Sequence, residues 1–136
     1  MRIADDELAW VKGPGQAPTL DHGAAHAAGA LQLCLALDKR VEPALLAASY
    51  ELMSLVNQRV WLGHFEMWPE DNEILFRHAL PLPEGERPTL AQTAAMIDAA
   101  VEAADRFYPA FDFLLTGGRT PAEAMDSCLL ETVGRA

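Results

Sequence analysis

The sequence predicts an α+β fold in which an antiparallel sheet of about five strands is packed by two longer helices and a C-terminal helix. Strand-like segments come first, followed by a helix, a hairpin and two more helices, without the strand–helix alternation of a parallel sheet. Residues 60–80 alternate apolar and polar side chains, whereas residues 89–133 repeat apolar side chains at helical spacing. The 136 residues, 51% of them hydrophobic, suffice for one core, so we expect a single domain over residues 1–136.

The N-terminal part of the chain contains the first predicted strands. The segment Asp6–Lys12 alternates in character and ends at turn-forming Gly13–Gly15. Residues 17–28 are rich in Ala and Gly without a clear period, so they fit either a weak strand, which we favour, or a short helical turn. Leu31–Leu37 is a clearer strand, and Asp38–Arg40 close it.

The first helix is predicted to begin at Pro43, because proline is well tolerated in a first helical turn. Its apolar stripe consists of Leu45, Ala48, Leu52, Leu55 and Val56.

The central hairpin is predicted to pair Val60–Trp68 with Glu73–Leu80 across a turn at residues 69–72. Alternation places one set of side chains on the core face: Trp61, Gly63, Phe65, Met67, Ile74, Phe76, His78 and Leu80. The opposite face carries Leu62, His64, Glu66, Trp68, Glu73, Leu75, Arg77 and Ala79, and there Glu66 and Arg77 can form an ion pair across the strands.

Two capping boxes start the last two helices, one at Thr89 with Gln92 and one at Thr120 with Glu123. Between them, Gly117-Gly118 ends the longer helix. Its predicted inner stripe is Leu90, Ala94, Ile97, Val101, Ala104, Tyr108, Phe111 and Leu115. The final helix extends to about Val133, with Met125, Cys128, Leu129 and Val133 inside.

The net charge and the lack of targeting signals indicate which partners and which cellular compartment to expect. A net charge of −10 disfavours nucleic acid and anionic membranes, which bind through Lys and Arg. No secretory signal and no long apolar span is evident, and the two cysteines, Cys34 and Cys128, read as buried reduced thiols. We therefore expect a cytoplasmic protein.

The residue patterns that carry chemistry are sparse. His22 and His26 lie one helical turn apart, but no third ligand is evident, so we expect neither a metal nor a cofactor. His64, Glu66 and Arg77 could serve a hydrolytic enzyme, although no nucleophile is evident nearby. A small-molecule sensor, the other alternative, needs an enclosed apolar pocket.

Surplus aromatic residues are the main functional signal from the residues themselves. Phe107, Phe113 and Trp68 exceed what one core layer requires, which favours either a second core layer or a binding surface. The candidate partner-binding surface consists of Leu62, His64, Glu66, Trp68, Leu75, Phe107 and Phe113. Such a surface predicts a homodimer.

Three segments carry a resemblance to a known family: Trp61–Phe65 (WLGHF), Phe76–Leu80 (FRHAL) and Arg106–Phe111 (RFYPAF). With these segments the chain resembles, from about Asp5 to Gly134, the YbjN-like proteins, labelled as bacterial sensory transduction regulators. These proteins usually have a helix before their first strand, and we expect that helix to be missing here.

The resemblance implies a curved antiparallel sheet packed by helices, similar to type III secretion chaperones and usually dimeric. It also implies a non-catalytic, chaperone-like or regulatory domain that binds a protein client, because the family has no established catalytic residues.

Overall fold

The computed structural model describes residues 29–134. These residues form strands β1 (Gly29–Arg40), β2 (His64–Trp68) and β3 (Glu73–Leu82), and helices α1 (Leu46–Asn57), α2 (Leu90–Leu115) and α3 (Pro121–Gly134). The α+β class and the antiparallel sheet are confirmed, but the described residues form three strands rather than about five. The predicted strand Asp6–Lys12 and residues 17–28, with His22 and His26, lie outside the described residues.

The sheet has the order β1-β3-β2, with both pairs antiparallel. Phe65 lies opposite Phe76, and Met67 lies opposite Ile74, as the alternation predicts. These four side chains are buried and belong to one hydrophobic core. The predicted register of the hairpin is therefore confirmed, and so is the core position of these four side chains.

Strand β1 ends irregularly and is tied there to helix α2. The register shifts between Ala36 and Arg40, and Asp38 has a positive φ of 53°. Beyond this bulge the Lys39 ammonium donates a hydrogen bond of 2.7 Å to Asp112 and lies 4.5 Å from the Tyr108 ring centroid. Burial lowers the pKa of Lys39, but bonding to Asp112 and Tyr108 outweighs it, so the pKa is raised and the charge is kept.

Helix α1 begins at Leu46, after a 3₁₀ turn at Pro43–Leu45. Leu52 and Val56 are fully buried as predicted. Ser49 and Met53 are also buried, so the inner face is centred one residue away from the predicted stripe.

Helix α2 spans the core, and the Thr89–Gln92 capping box at its start is confirmed. Its predicted inner stripe is partly wrong, because Phe107 is buried whereas Tyr108 is 37% exposed and Leu90 is 87% exposed. The buried residues of the helix are Met96, Ala100, Ala103, Ala104, Phe107, Ala110, Phe111 and Leu114. Alanines let the helix approach its neighbours closely, whereas the sequence pattern gave more weight to large side chains.

Helix α3 packs against α1 and α2, and so covers the helical layer. The second capping box, formed by Thr120 and Glu123, is confirmed by hydrogen bonds of 2.9 and 3.3 Å. Cys128 is buried as predicted, and burial raises the pKa of its thiol, which donates to the Arg106 carbonyl at 3.1 Å. Val133 was expected inside but is 74% exposed, because the last turn extends past the core.

The core can be tested at Phe65, which is 2% exposed. Replacing it in Phe65→Ala should lower the free energy of unfolding by about 3–5 kcal/mol, since a buried ring is removed. Urea denaturation measures this loss. Tyr50→Ala is the control, because Tyr50 is 55% exposed, and equal losses at both positions would contradict this packing.

Candidate protein-binding surface

Strand β2 begins at His64 rather than at the predicted Val60, and Gly63 is the reason. Gly63 has a φ of +76°, a backbone conformation that residues other than glycine rarely adopt. A Cβ atom there would also meet the Phe76 ring and lie 2.7 Å from the Arg77 carbonyl oxygen. The chain therefore turns at this glycine, and the residues before it form a loop.

This segment, residues 58–63, is called the Trp61 loop, and hydrogen bonds fix it at both ends. At its start, the backbone N–H groups of Arg59 and Val60 donate to the carbonyls of Val56 and Asn57 at 2.9 and 3.3 Å. At its end, the Asn57 side chain accepts from the Phe65 N–H at 2.7 Å and donates to the Phe65 carbonyl at 3.0 Å. The loop is held between helix α1 and strand β2.

The loop presents two large apolar side chains to solvent. Trp61 is 98% exposed and Leu62 is 56% exposed. The sequence pattern placed Trp61 in the core, which is wrong because the alternation of a strand does not extend through the turn at Gly63. A glycine inside a strand pattern is the signal that could have identified this bend.

A cleft of about 230 Å³ lies between the Trp61 loop and helix α2. The loop contributes one wall, and residues 99–107 in the middle of α2 contribute the other. Its lining residues are Arg59, Val60, Trp61, Leu62, Ala99, Glu102, Ala103, Arg106 and Phe107. An apolar surface with a few charged groups at its margin is the usual composition of a recognition site.

Two arginines line this cleft without an ion-pair partner among the described residues. Arg59 donates to the Leu55 carbonyl at 3.0 Å, and the Arg106 guanidinium lies 5.1 Å from the Phe107 ring centroid. Glu102 is the one carboxylate in the lining. The cleft is therefore locally positive in a chain of net charge −10.

The face of the sheet opposite the core contains His64, Glu66 and Arg77. Glu66 lies 2.9 Å from the His64 ring nitrogen and accepts a hydrogen bond of 3.1 Å from Arg77, so the predicted cross-strand pair is confirmed. All three side chains are at least 30% exposed. Such partly exposed ion pairs contribute at most about 1 kcal/mol each.

A thiol lies in the same row of the sheet but is too far from His64 for catalysis. Cys34 in β1 pairs with Arg77 in β3, which in turn pairs with His64 in β2. Since adjacent strands are about 4.8 Å apart, Cys34 and His64 are separated by roughly 10 Å at the backbone. A nucleophile and its base need to be within hydrogen-bonding distance.

A family model, YbjN, described as "Putative bacterial sensory transduction regulator", matches residues 23–113. This match covers more than half of the chain. The chain belongs to the YbjN family. No curated protein matches it, and no solved structure matches it, so the predicted similarity to secretion chaperones stays a prediction.

The matched region of this YbjN-family chain includes the whole sheet, helix α1 and most of helix α2. Both the Trp61 loop and the His64–Glu66–Arg77 cluster lie inside it, whereas helix α3 lies beyond it. Among the described residues, no helix combines the length and the hydropathy needed to cross a membrane.

The candidate surface predicted from the sequence is only partly on the outside of this structure. Leu75 is 4% exposed in the central strand, between Ala36 and Glu66, and Phe107 is 1% exposed beneath the cleft. Phe113 is half-buried against the core. Trp68, which is 41% exposed, lies at the far end of β2 from Trp61.

Of the seven predicted residues, Leu62, His64 and Trp68 are therefore exposed, and Glu66 and Phe113 are half-buried. Because His64 and Glu66 lie between Leu62 in the loop and Trp68 at the end of β2, the surface is divided into separate patches. The apolar patch that adjoins a cleft is the Trp61 loop.

The hydrogen bonds that hold the loop can be tested with Asn57→Ala. This change leaves the Phe65 backbone groups without their side-chain partner, so the free energy of unfolding should fall by about 2–3 kcal/mol. Urea denaturation measures the change. Gln58→Ala, at the exposed neighbouring position, should cost less than about 0.5 kcal/mol, and similar costs for both variants would contradict the role of Asn57.

Proposed function

We propose that this YbjN-family chain is a non-catalytic regulatory domain that binds a protein partner through the Trp61 loop and the adjoining cleft. The observation that carries the proposal is the 98% exposure of Trp61 on a loop held by hydrogen bonds at both ends. Tryptophan is the residue most enriched among the energetic centres of protein interfaces. The family description, a regulator, agrees with this role.

The shape of the site favours a protein over a small molecule. The cleft of about 230 Å³ is smaller than the roughly 300–1,000 Å³ typical of small-molecule pockets. Trp61 and Leu62 are exposed beside it, so a partner must cover them from outside. A protein surface or peptide can cover these side chains and enter the cleft at once.

The rival hydrolytic function receives less support from the geometry. His64, Glu66 and Arg77 lie close together, but the two carboxylate oxygens of Glu66 already bond to His64 and to Arg77. The thiol of their row lies about two strand spacings from His64. The arrangement is that of a cross-strand ion-pair cluster, which modestly stabilises the pairing of β2 with β3.

Photo-cross-linking in the native cell tests the proposal. We expect p-benzoylphenylalanine at position 61 to give a discrete protein adduct, and the same group at position 50 to give none. Tyr50 is a matched control because it is exposed and aromatic but lies on helix α1. The partner found at position 61 should bind Trp61→Ala about 10- to 30-fold more weakly, as expected for a central tryptophan.

Identical adducts at positions 61 and 50 would contradict the proposal. Full retention of the cross-linked partner by Trp61→Ala, measured by calorimetry with the purified pair, would contradict it as well.

The homodimer inferred from the sequence stays a prediction. With Leu75 and Phe107 buried, the exposed apolar residues of the predicted surface are Leu62 and Trp68, and Phe113 is half-buried. Light scattering at micromolar concentration should give the mass of a dimer, and Trp68→Glu should convert it to a monomer because a charge would be desolvated at the contact. Tyr50→Glu is the control, and a monomer mass for the unmodified chain would exclude the dimer.

A further inference from the structure

We propose that the Trp61 cleft recognises a peptide segment in which an acidic side chain lies next to an aromatic or aliphatic one. This inference rests on the proposed function and adds the chemistry of the partner. It follows from the coincidence, in one cleft, of exposed apolar side chains and two arginines that lack a carboxylate partner among the described residues.

The apolar half of the site is formed by Trp61, Leu62 and the underlying Phe107. Trp61 and Leu62 are exposed, whereas the Phe107 ring is packed against Phe65 and reaches the cleft from inside. An aromatic or branched aliphatic side chain that entered the cleft would contact all three and remove apolar surface from water. Because Phe107 is fixed by the core, this part of the site is formed before a partner arrives.

The charged half of the site is formed by Arg59 and Arg106, on opposite walls of the cleft. Three other basic side chains of the described residues are paired: Lys39 with Asp112, Arg40 with Asp71, and Arg77 with Glu66. Arg59 retains donors beyond its bond to Leu55, and a guanidinium has five donors in all. A carboxylate is the group that such a fork binds best.

Glu102 also lines the cleft, one helical turn before Arg106, yet no ion pair joins them. The cleft is therefore lined by two positively charged side chains and one negatively charged side chain, in a chain whose net charge is −10. Repulsion from the rest of the chain is screened beyond about 8 Å at physiological ionic strength. Asp105 and Glu131 line a neighbouring pocket with Arg106, so a bound carboxylate is held by direct hydrogen bonds from the two guanidinium groups rather than by the field of the whole chain.

The test compares two short peptides that differ in charge but hardly in shape. The acidic probe is acetyl-Leu-Phe-Asp-Glu-amide, and its neutral counterpart is acetyl-Leu-Phe-Asn-Gln-amide. Binding is followed by NMR through the indole N–H of Trp61 and the backbone amide of Ala99 at millimolar peptide. We expect the acidic peptide to bind about tenfold more tightly, a difference of about 1.4 kcal/mol.

Non-specific electrostatics predicts the opposite order, because a chain of net charge −10 repels the acidic probe. The preference should disappear in the double variant Arg59→Gln/Arg106→Gln and persist in Arg87→Gln, which removes an exposed arginine outside the cleft lining. Both arginines of the cleft are exposed, so the double variant should keep the fold, which its NMR spectrum reports directly.

Three results would overturn the inference: equal affinities for the two peptides, a preference retained by the double variant, or no change at Trp61 with either peptide. The cross-linking experiment at position 61 separates this failure from that of the proposed function. A discrete adduct there, together with any of these three results, would leave Trp61 as a protein-binding residue and remove only the preference for an acidic segment.

Discussion

The position of Phe65 is the constraint on which the rest of the described structure depends. Its ring lies 5.3 Å from that of Phe76, 6.1 Å from Phe107 and 5.4 Å from Phe111, measured between centroids. Its backbone is bonded to Asn57 at the end of helix α1. One residue of the shortest strand thus connects the sheet with two helices, and aromatic contacts of this kind add to the stability gained by burial.

The same constraint determines what the molecule presents to solvent. Because Phe65 and Asn57 hold both sides of the Trp61 loop, the indole of Trp61 is displayed on a backbone that the core has already positioned. Because the loop is already ordered, binding through it would cost little conformational entropy. Exposure of a tryptophan on a fixed backbone is what distinguishes this site from the scattered apolar side chains of an ordinary surface.

Features of the structure that depend on local sequence patterns could be predicted from the sequence. Features that depend on packing or on a single backbone angle could not. The facing of Phe65 and Phe76 follows from alternation, and the cap at Thr89 from residue type, so both could be predicted. The exposure of Trp61 depends on the positive φ of Gly63, and alternation contains no information about it. Similarly, Phe107 rather than Tyr108 faces the core because small alanines set the rotation of helix α2.

The side chain of Asn57 also determines how a partner can approach strand β2. Alternate residues of an edge strand direct their N–H and C=O groups outward, and a partner can use such groups to add a strand of its own. In β2 those of Phe65 are already bonded to the amide of Asn57, which leaves a five-residue strand with too few outward groups for a ladder. A protein that bound at this edge of the described sheet would therefore be recognised through side chains rather than by adding a strand.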